Sequence, residues 1–192
     1  MRETPAAVGT PSGADAEMRA LLLGAIPALR AFAFSLTYDL DRSDDLVQDT
    51  LIRAWTKADS FQRGTNLTAW LFTILRNLFY SEQRKRKREV EDADGIHAGR
   101  LTSLPEQEIR IELQEFRAAL DQLPHSQREA LVLVGAQNFT YEEAAAICGV
   151  AVGTVKSRVS RARSRLVEAL GMVGTDDIGA DALTRAAIGA PP

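Results

Sequence analysis

The chain has 192 residues, 45% of them hydrophobic, 26% charged and only 6% aromatic, with a formal net charge of −3. That length holds one medium domain or two small ones, and the balance suits water-soluble helical bundles with Leu/Ala/Val cores better than β-sandwiches. One cysteine, Cys148, excludes an internal disulfide framework, and with only two isolated histidines, His97 and His125, a structural zinc site lacks soft ligands.

Residues 1–15, with Pro5 and Pro11 among small residues, read as a disordered tail, and Met1 to Ala16 lacks the apolar centre of a secretory signal. No apolar run approaches the roughly 20 residues that span a bilayer, so no membrane association is expected. From Ala16 to Leu40, Leu21, Leu22, Ala25, Leu29, Phe32 and Leu36 recur at three- and four-residue intervals, an amphipathic helical region that Pro27 either kinks or divides. Asp41-Arg42-Ser43-Asp44 offers N-cap chemistry to the next helix, whose apolar stripe is Val47, Leu51, Ala54, Trp55 and Ala58. Its other face carries Asp45, Gln48, Asp49 and Arg53. Phe61 to Asn66 is a loop by composition, and a long helix follows from about Leu67 through Trp70, Leu71, Ile74, Leu75, Leu78 and Phe79 into the basic run Arg84 to Arg88.

The expected domain division is 16–90, a linker at 91–104, and 105–170, with a mobile tail at 171–192. In the second domain Ile109, Leu113, Phe116 and Leu120 define one helix that stops before Pro124, and Gln127 to Ala136 a second, with Leu131 and Val134 inward. Thr140-Tyr141-Glu142-Glu143 has capping-box form and opens a short helix that Gly149 ends. Thr154 opens the last helix, with Val155, Val159, Ala162 and Leu166 as its buried stripe. The fold class is therefore all-α, two small helical domains joined by a flexible linker, with no strand pattern and no internal repeat.

Charge is segregated along the chain. No acid occurs between Ser60 and Ser81 or between Ala144 and Val167, whereas acids gather around Asp39 to Asp49 and at Glu89 to Asp94. Phosphate binding depends on this local potential more than on the net charge. Two helices around a Gly-containing turn, the second with Thr154, Ser157, Arg158, Arg161 and Arg165 outward and Lys156 and Arg163 on a flank, form a helix-turn-helix suited to a DNA major groove. An Arg-rich helix face is usually just solvated, but this one has no acidic partner until Glu168. Leu67 to Arg88 joins aromatics to cations, a combination suited to melted DNA, where bases stack and phosphates are neutralised. Trp70 and Cys148 read first as core residues. The acidic face Asp45 to Asp49 is either a solvated surface or a docking site for a basic partner.

The order Asp-Asp-Leu-Val-Gln-Asp-Thr (44–50), Arg-Ala-Trp (53–55), Ser-Phe-Gln-Arg-Gly (60–64) and Thr-Ala-Trp-Leu-Phe-Thr-Ile-Leu-Arg-Asn (68–77) resembles region 2 of the extracytoplasmic-function (ECF) sigma factors. Leu-Pro-His-Ser-Gln-Arg-Glu-Ala-Leu (123–131) and the segment from Tyr141 to Arg163 resemble their region 4. The likeness covers about Ala16 to Leu170 and is nearest to the alphaproteobacterial general-stress-response (EcfG-type) subgroup. It implies a cytoplasmic transcription initiation subunit, nucleoid-associated in the holoenzyme, with no catalytic residues, metal or cofactor.

The resemblance also implies residue roles. Asp45, Gln48, Asp49 and Arg53 would dock on the β′ clamp helices of core RNA polymerase. Phe61, Arg63, Asn66, Asn77, Arg84 and Lys85 would bind the −10 element, with an unstacked base held by the loop and Asn77. Thr154, Lys156, Ser157, Arg158, Arg161, Arg163 and Arg165 would bind the −35 element, Lys156, Ser157 and Arg161 at bases and Arg158 and Arg163 at phosphates. Region 4 would also meet the β flap, and an anti-sigma factor of the NepR type would hold the protein inactive. Two rival readings are a sigma-like decoy that only sequesters an anti-sigma factor and a conventional helix-turn-helix activator. Neither explains both Asp44 to Trp55 and Leu67 to Arg88.

Overall fold

The computed structural model describes residues 13–62, 64–92 and 111–171. Among them are seven α-helices, a 3-10 turn at Ala58–Ser60 and no strand: α1 (Gly13–Thr37), α2 (Leu40–Thr56), α3 (Leu67–Asp92), α4 (Ile111–Asp121), α5 (His125–Gly135), α6 (Tyr141–Cys148) and α7 (Val152–Leu170). The N-terminal and C-terminal tails, Arg63 and most of the expected linker lie outside the described residues.

Pro27 neither ends nor divides α1, which runs 25 residues through it. The ring removes one backbone hydrogen bond, but Leu22, Leu29, Phe32, Ala33 and Leu36 bury one side of the helix and hold it on course. By length and composition Ala16–Thr37 is apolar enough to cross a bilayer, contrary to the sequence expectation, because Arg30 interrupts the run without lowering its average. Its Leu29, Phe32 and Ala33 are instead packed in the protein core with no exposure. The helix stops at Tyr38, whose φ of 52° is left-handed, and only two residues separate it from α2. That short link moves the N-cap of α2 to Asp39, whose carboxylate accepts the Arg42 amide at 3.0 Å. Ser43, an expected cap, is buried and donates its hydroxyl to the Asp39 carbonyl.

α3 begins beside Asn66, whose side-chain oxygen accepts the Ala69 amide at 3.1 Å, and carries the basic run out to Asp92. Phe72 stacks on Phe32 of α1 at 4.8 Å between ring centroids and meets Phe139 of the C-terminal half edge-on at 5.1 Å. One apolar core therefore runs through both halves. Its centre is α5, where the seven consecutive residues Gln127 to Leu133 are all buried. A helix buried on every side is a middle element rather than a surface one. It packs on α1, α6 and α7.

α6 is set by the capping box expected from its sequence. Thr140 Oγ accepts the Glu143 amide at 3.1 Å, and Glu143 Oε2 accepts the Thr140 amide at 2.9 Å. Gly149, at φ 65°, closes the helix in a conformation that costs a residue with a Cβ about 1 kcal/mol or more. Thr140→Ala removes the cap and lowers stability by about 1 kcal/mol, a fall of roughly 2–4 °C in Tm at this size, read by thermal denaturation.

Candidate polymerase and promoter interfaces

On α2, Leu46, Val47, Thr50 and Ala54 turn inward, while Asp45, Gln48, Asp49 and Arg53 are exposed. Trp55 departs from its expected place in the apolar stripe: it is 45% exposed, as Ile52 is 55% exposed. Spacings of three and four residues put Asp45, Gln48, Asp49, Ile52 and Trp55 on one face. An exposed indole and isoleucine flanked by carboxylates form a surface with an apolar anchor and acidic charge. Periodicity could have placed Ile52 there. Trp55 lies at the helix end, nearly two turns beyond Asp49, the last residue of the acidic cluster, where an inward and an outward assignment fit the pattern equally. The face is steadied from behind by Arg30 of α1, which holds Asp44 bidentately at 2.6 and 2.7 Å.

The loop before α3 brings Phe61 against Trp70, ring centroids 5.2 Å apart and tilted by 42°, both side chains half-buried. Gly64 turns the loop at φ 89° and Thr65 donates to the Gln62 carbonyl at 2.7 Å. Asn66 and Asn77 are exposed, and so are Arg84 and Lys85 further along α3. Trp70 is thus part of the loop wall as well as of the core beneath it. Asn66 is already engaged: its Nδ2 donates to Glu143 of α6 at 2.9 Å.

On α7, Val155, Val159, Ala162 and Leu166 form the buried stripe as expected. The helix starts two residues before Thr154, at Val152, with no side-chain cap. Lys156, Arg161 and Arg165 are exposed, and Lys156 lies over the Tyr141 ring at 5.6 Å. The Ser157 hydroxyl donates to the Thr154 carbonyl at 2.9 Å, which leaves it free to accept rather than donate. Arg158 and Arg163 are half-buried, and each has one buried guanidinium nitrogen without a partner. Arg158 is close enough to the interior to act electrostatically on Glu129 of α5, so it is not the fully outward residue a helical wheel suggests.

Glu129, Arg76, Tyr80 and Glu143 were not singled out as pairing across the two halves by their sequence pattern. Glu129 has no exposure, and burial pushes its carboxyl above the usual carboxylate range against the pull of Arg76. Burial raises the phenol of Tyr80 and pushes the Cys148 thiol up to about 12, so the cysteine is an inert core residue. An acid inside the run Gln127 to Leu133 was the available signal. No group of three or more His, Cys, Asp or Glu side chains that could hold a metal ion exists among the described residues.

The chain matches the sigma-70 region 2 family over residues 24–89 and the sigma-70 region 4 family over residues 113–166. It is 63% identical over 168 residues to the "ECF RNA polymerase sigma factor EcfG" of Rhodopseudomonas palustris, covering 88% of this chain and 93% of that one. It is 32% identical to the "ECF RNA polymerase sigma factor SigM" of Bacillus subtilis, covering 70% of this chain and 83% of the relative. Among solved structures it resembles a chain of the co-crystal of sigma factor RpoE with the anti-sigma factor NepR from Bartonella quintana. That likeness has a TM-score of 0.76 and 56% identity, and covers 82% of this chain and 99% of the other. α2, its loop and most of α3 lie in the region 2 match, α5, α6 and most of α7 lie in the region 4 match, and the chain belongs to the extracytoplasmic-function family of RNA polymerase sigma factors.

Proposed function

We propose that the three exposed faces divide the work of initiation at promoters of stress-response genes. The α2 face, Asp45, Gln48, Asp49 and Arg53 extended by Ile52 and Trp55, docks the β′ clamp helices of core polymerase. The loop of Phe61, Arg63 and Asn66, with Asn77, holds an unstacked base of the −10 element, and Arg84 and Lys85 neutralise the adjoining backbone. α7 enters the major groove of the −35 element, and its half of the chain also meets the β flap. Lys156 and Arg161 donate to base edges, Ser157 accepts, and Thr154, Arg158, Arg163 and Arg165 position the helix on phosphates.

The observation that carries this reading is the outer face of α7, where Lys156, Arg161 and Arg165 stand exposed on a helix whose one acid is Glu168. The role is binding and positioning, with no catalytic group, and belongs in the cytoplasm. A NepR-type anti-sigma factor is the expected inhibitor, on the strength of the 56% identity to a sigma factor solved with one.

Two substitutions separate the elements. Arg161→Ala weakens −35 discrimination by about 1–3 kcal/mol, roughly 5- to 150-fold, in holoenzyme binding to matched and mismatched duplexes. Asn77→Ala leaves duplex binding intact and slows opening at −10 by about tenfold, one hydrogen bond's worth, read by permanganate reactivity of unpaired thymines. Loss of duplex binding alone in Asn77→Ala contradicts the base-capture role.

A further inference from the structure

Of the exposed cations on the outer face of α7, only Lys156 has an aromatic ring against it among the described residues. Its Nζ lies over Tyr141, 5.6 Å from the ring centroid. Among those residues it makes no ion pair and no side-chain hydrogen bond, not even with the exposed Glu142 beside the ring. Tyr141 is the first residue of α6, and its place is fixed from two sides. The capping box of Thr140 and Glu143 sets where the helix starts. Behind it, Ala144, Ile147 and Cys148 share one core with Val155 and Val159 of α7. Only Gly149, Val150 and Ala151 separate the two helices, so the ring is held at a set distance from the first turns of α7.

A lysine has a long flexible stem, and the freedom it loses when its ammonium settles on a base edge counts against binding. An aromatic face, negative at its centre, draws the ammonium over it and narrows that search beforehand. One side of the ammonium then faces the ring. The N–H groups on its other sides remain to donate to guanine O6 or N7. At an exposed site the attraction changes an equilibrium constant by about two- to fivefold. That is too little to hold α6 on α7, which the buried residues between them do. It is enough to change how sharply one base is chosen.

We infer that Tyr141 is a positioning residue for promoter reading: its ring aims the Lys156 ammonium at one base pair of the −35 element and sharpens the choice made there. The first helix of the helix-turn-helix thereby shares in specificity without touching a base, through a side chain of the second. The inference rests on the reading that α7 enters the −35 major groove.

The test measures holoenzyme binding to promoter duplexes in which each −35 base pair is changed in turn. Lys156→Met removes the preference at one base pair and so identifies it. Tyr141→Leu lowers the preference at that same pair by about two- to fivefold and leaves the other pairs alone. Tyr141→Phe keeps it, and in the Lys156→Met background Tyr141→Leu changes nothing further. Phenylalanine bearing one, two and three ring fluorines at position 141 keeps the shape of the ring while draining its face, and the preference falls stepwise. Where Tyr141→Leu fails to fold, this series carries the decision. In the free chain, the ε-methylene protons of Lys156 resonate upfield under the ring current, a shift that Tyr141→Phe retains. Equal weakening on every duplex makes the ring a packing or phosphate contact and overturns the inference. So does an unshifted ε-methylene, or a fluorinated series without a trend. A parent that discriminates at the Lys156 pair, with Tyr141→Leu unchanged there, overturns the positioning role alone. A parent indifferent to every −35 change overturns the reading of α7 and the positioning role with it.

Discussion

Phe72→Ala lowers the stability of the chain by about 3–5 kcal/mol, the range for an aromatic removed from a packed core. The ring has no exposure and is held between Phe32 of α1 and Phe139 of the C-terminal half. Its loss leaves a cavity where three segments meet, and none can collapse into it without moving its own backbone. A natural domain has only about 5–15 kcal/mol in total, so the variant sits near the edge of folding. Chemical denaturation reads the effect as a lower midpoint. Because Phe72 touches both halves, their unfolding also separates into two steps in the variant, seen as non-coincident far-UV and tryptophan fluorescence transitions. A loss under 1 kcal/mol with a single transition contradicts a continuous core.

The second large effect falls on association rather than folding. Trp55→Ala combined with Asp49→Arg weakens binding to core polymerase by about 3 kcal/mol or more, at least ~100-fold. Trp55 is an exposed indole at the end of α2, and buried tryptophans are frequent anchors of protein interfaces. Asp49 contributes charge complementarity, and its reversal sets like charges against a basic partner, which costs mostly association rate. Both side chains are exposed, so helicity and Tm stay within the range of surface changes, about 0.5 kcal/mol. Competition binding against labelled parent protein measures the difference. Unchanged affinity removes α2 from the docking surface.

What the residues revealed, and what they hid, divides along a physical line. Features set within one helix were legible. The Thr140–Glu143 box, the left-handed Gly149 and the stripe of Val155, Val159, Ala162 and Leu166 depend on spacing alone, and the structure has each of them. The family likeness rested on motifs of the same local kind. Features set by the partner across a boundary were not legible. Asp39, ahead of the expected Asp41 to Asp44 run, caps α2 because only Tyr38 and Asp39 separate that helix from α1, which stops at Thr37. Arg158 lies on the outward side of a wheel, but it is half-buried and close enough to the buried acid of α5 to act on it electrostatically. Glu129 looked like one charge in an apolar run, and its pairing with Arg76 spans 53 residues of sequence. Trp55 illustrates the converse, an apolar residue whose outward position only the packing of α1 and α3 decides.

The central claim is that one chain bears two promoter-reading faces that act together once it is on core polymerase. Run-off transcription with purified core enzyme, on templates in which the −35 and −10 elements are altered separately, addresses it most directly. The predicted result is a transcript that requires this protein and falls by about 10-fold or more when either element is changed, since each mismatched position costs about 1–3 kcal/mol. Transcription that ignores the −35 element, or no transcript from a protein that still binds core polymerase and a NepR-type inhibitor, would contradict it.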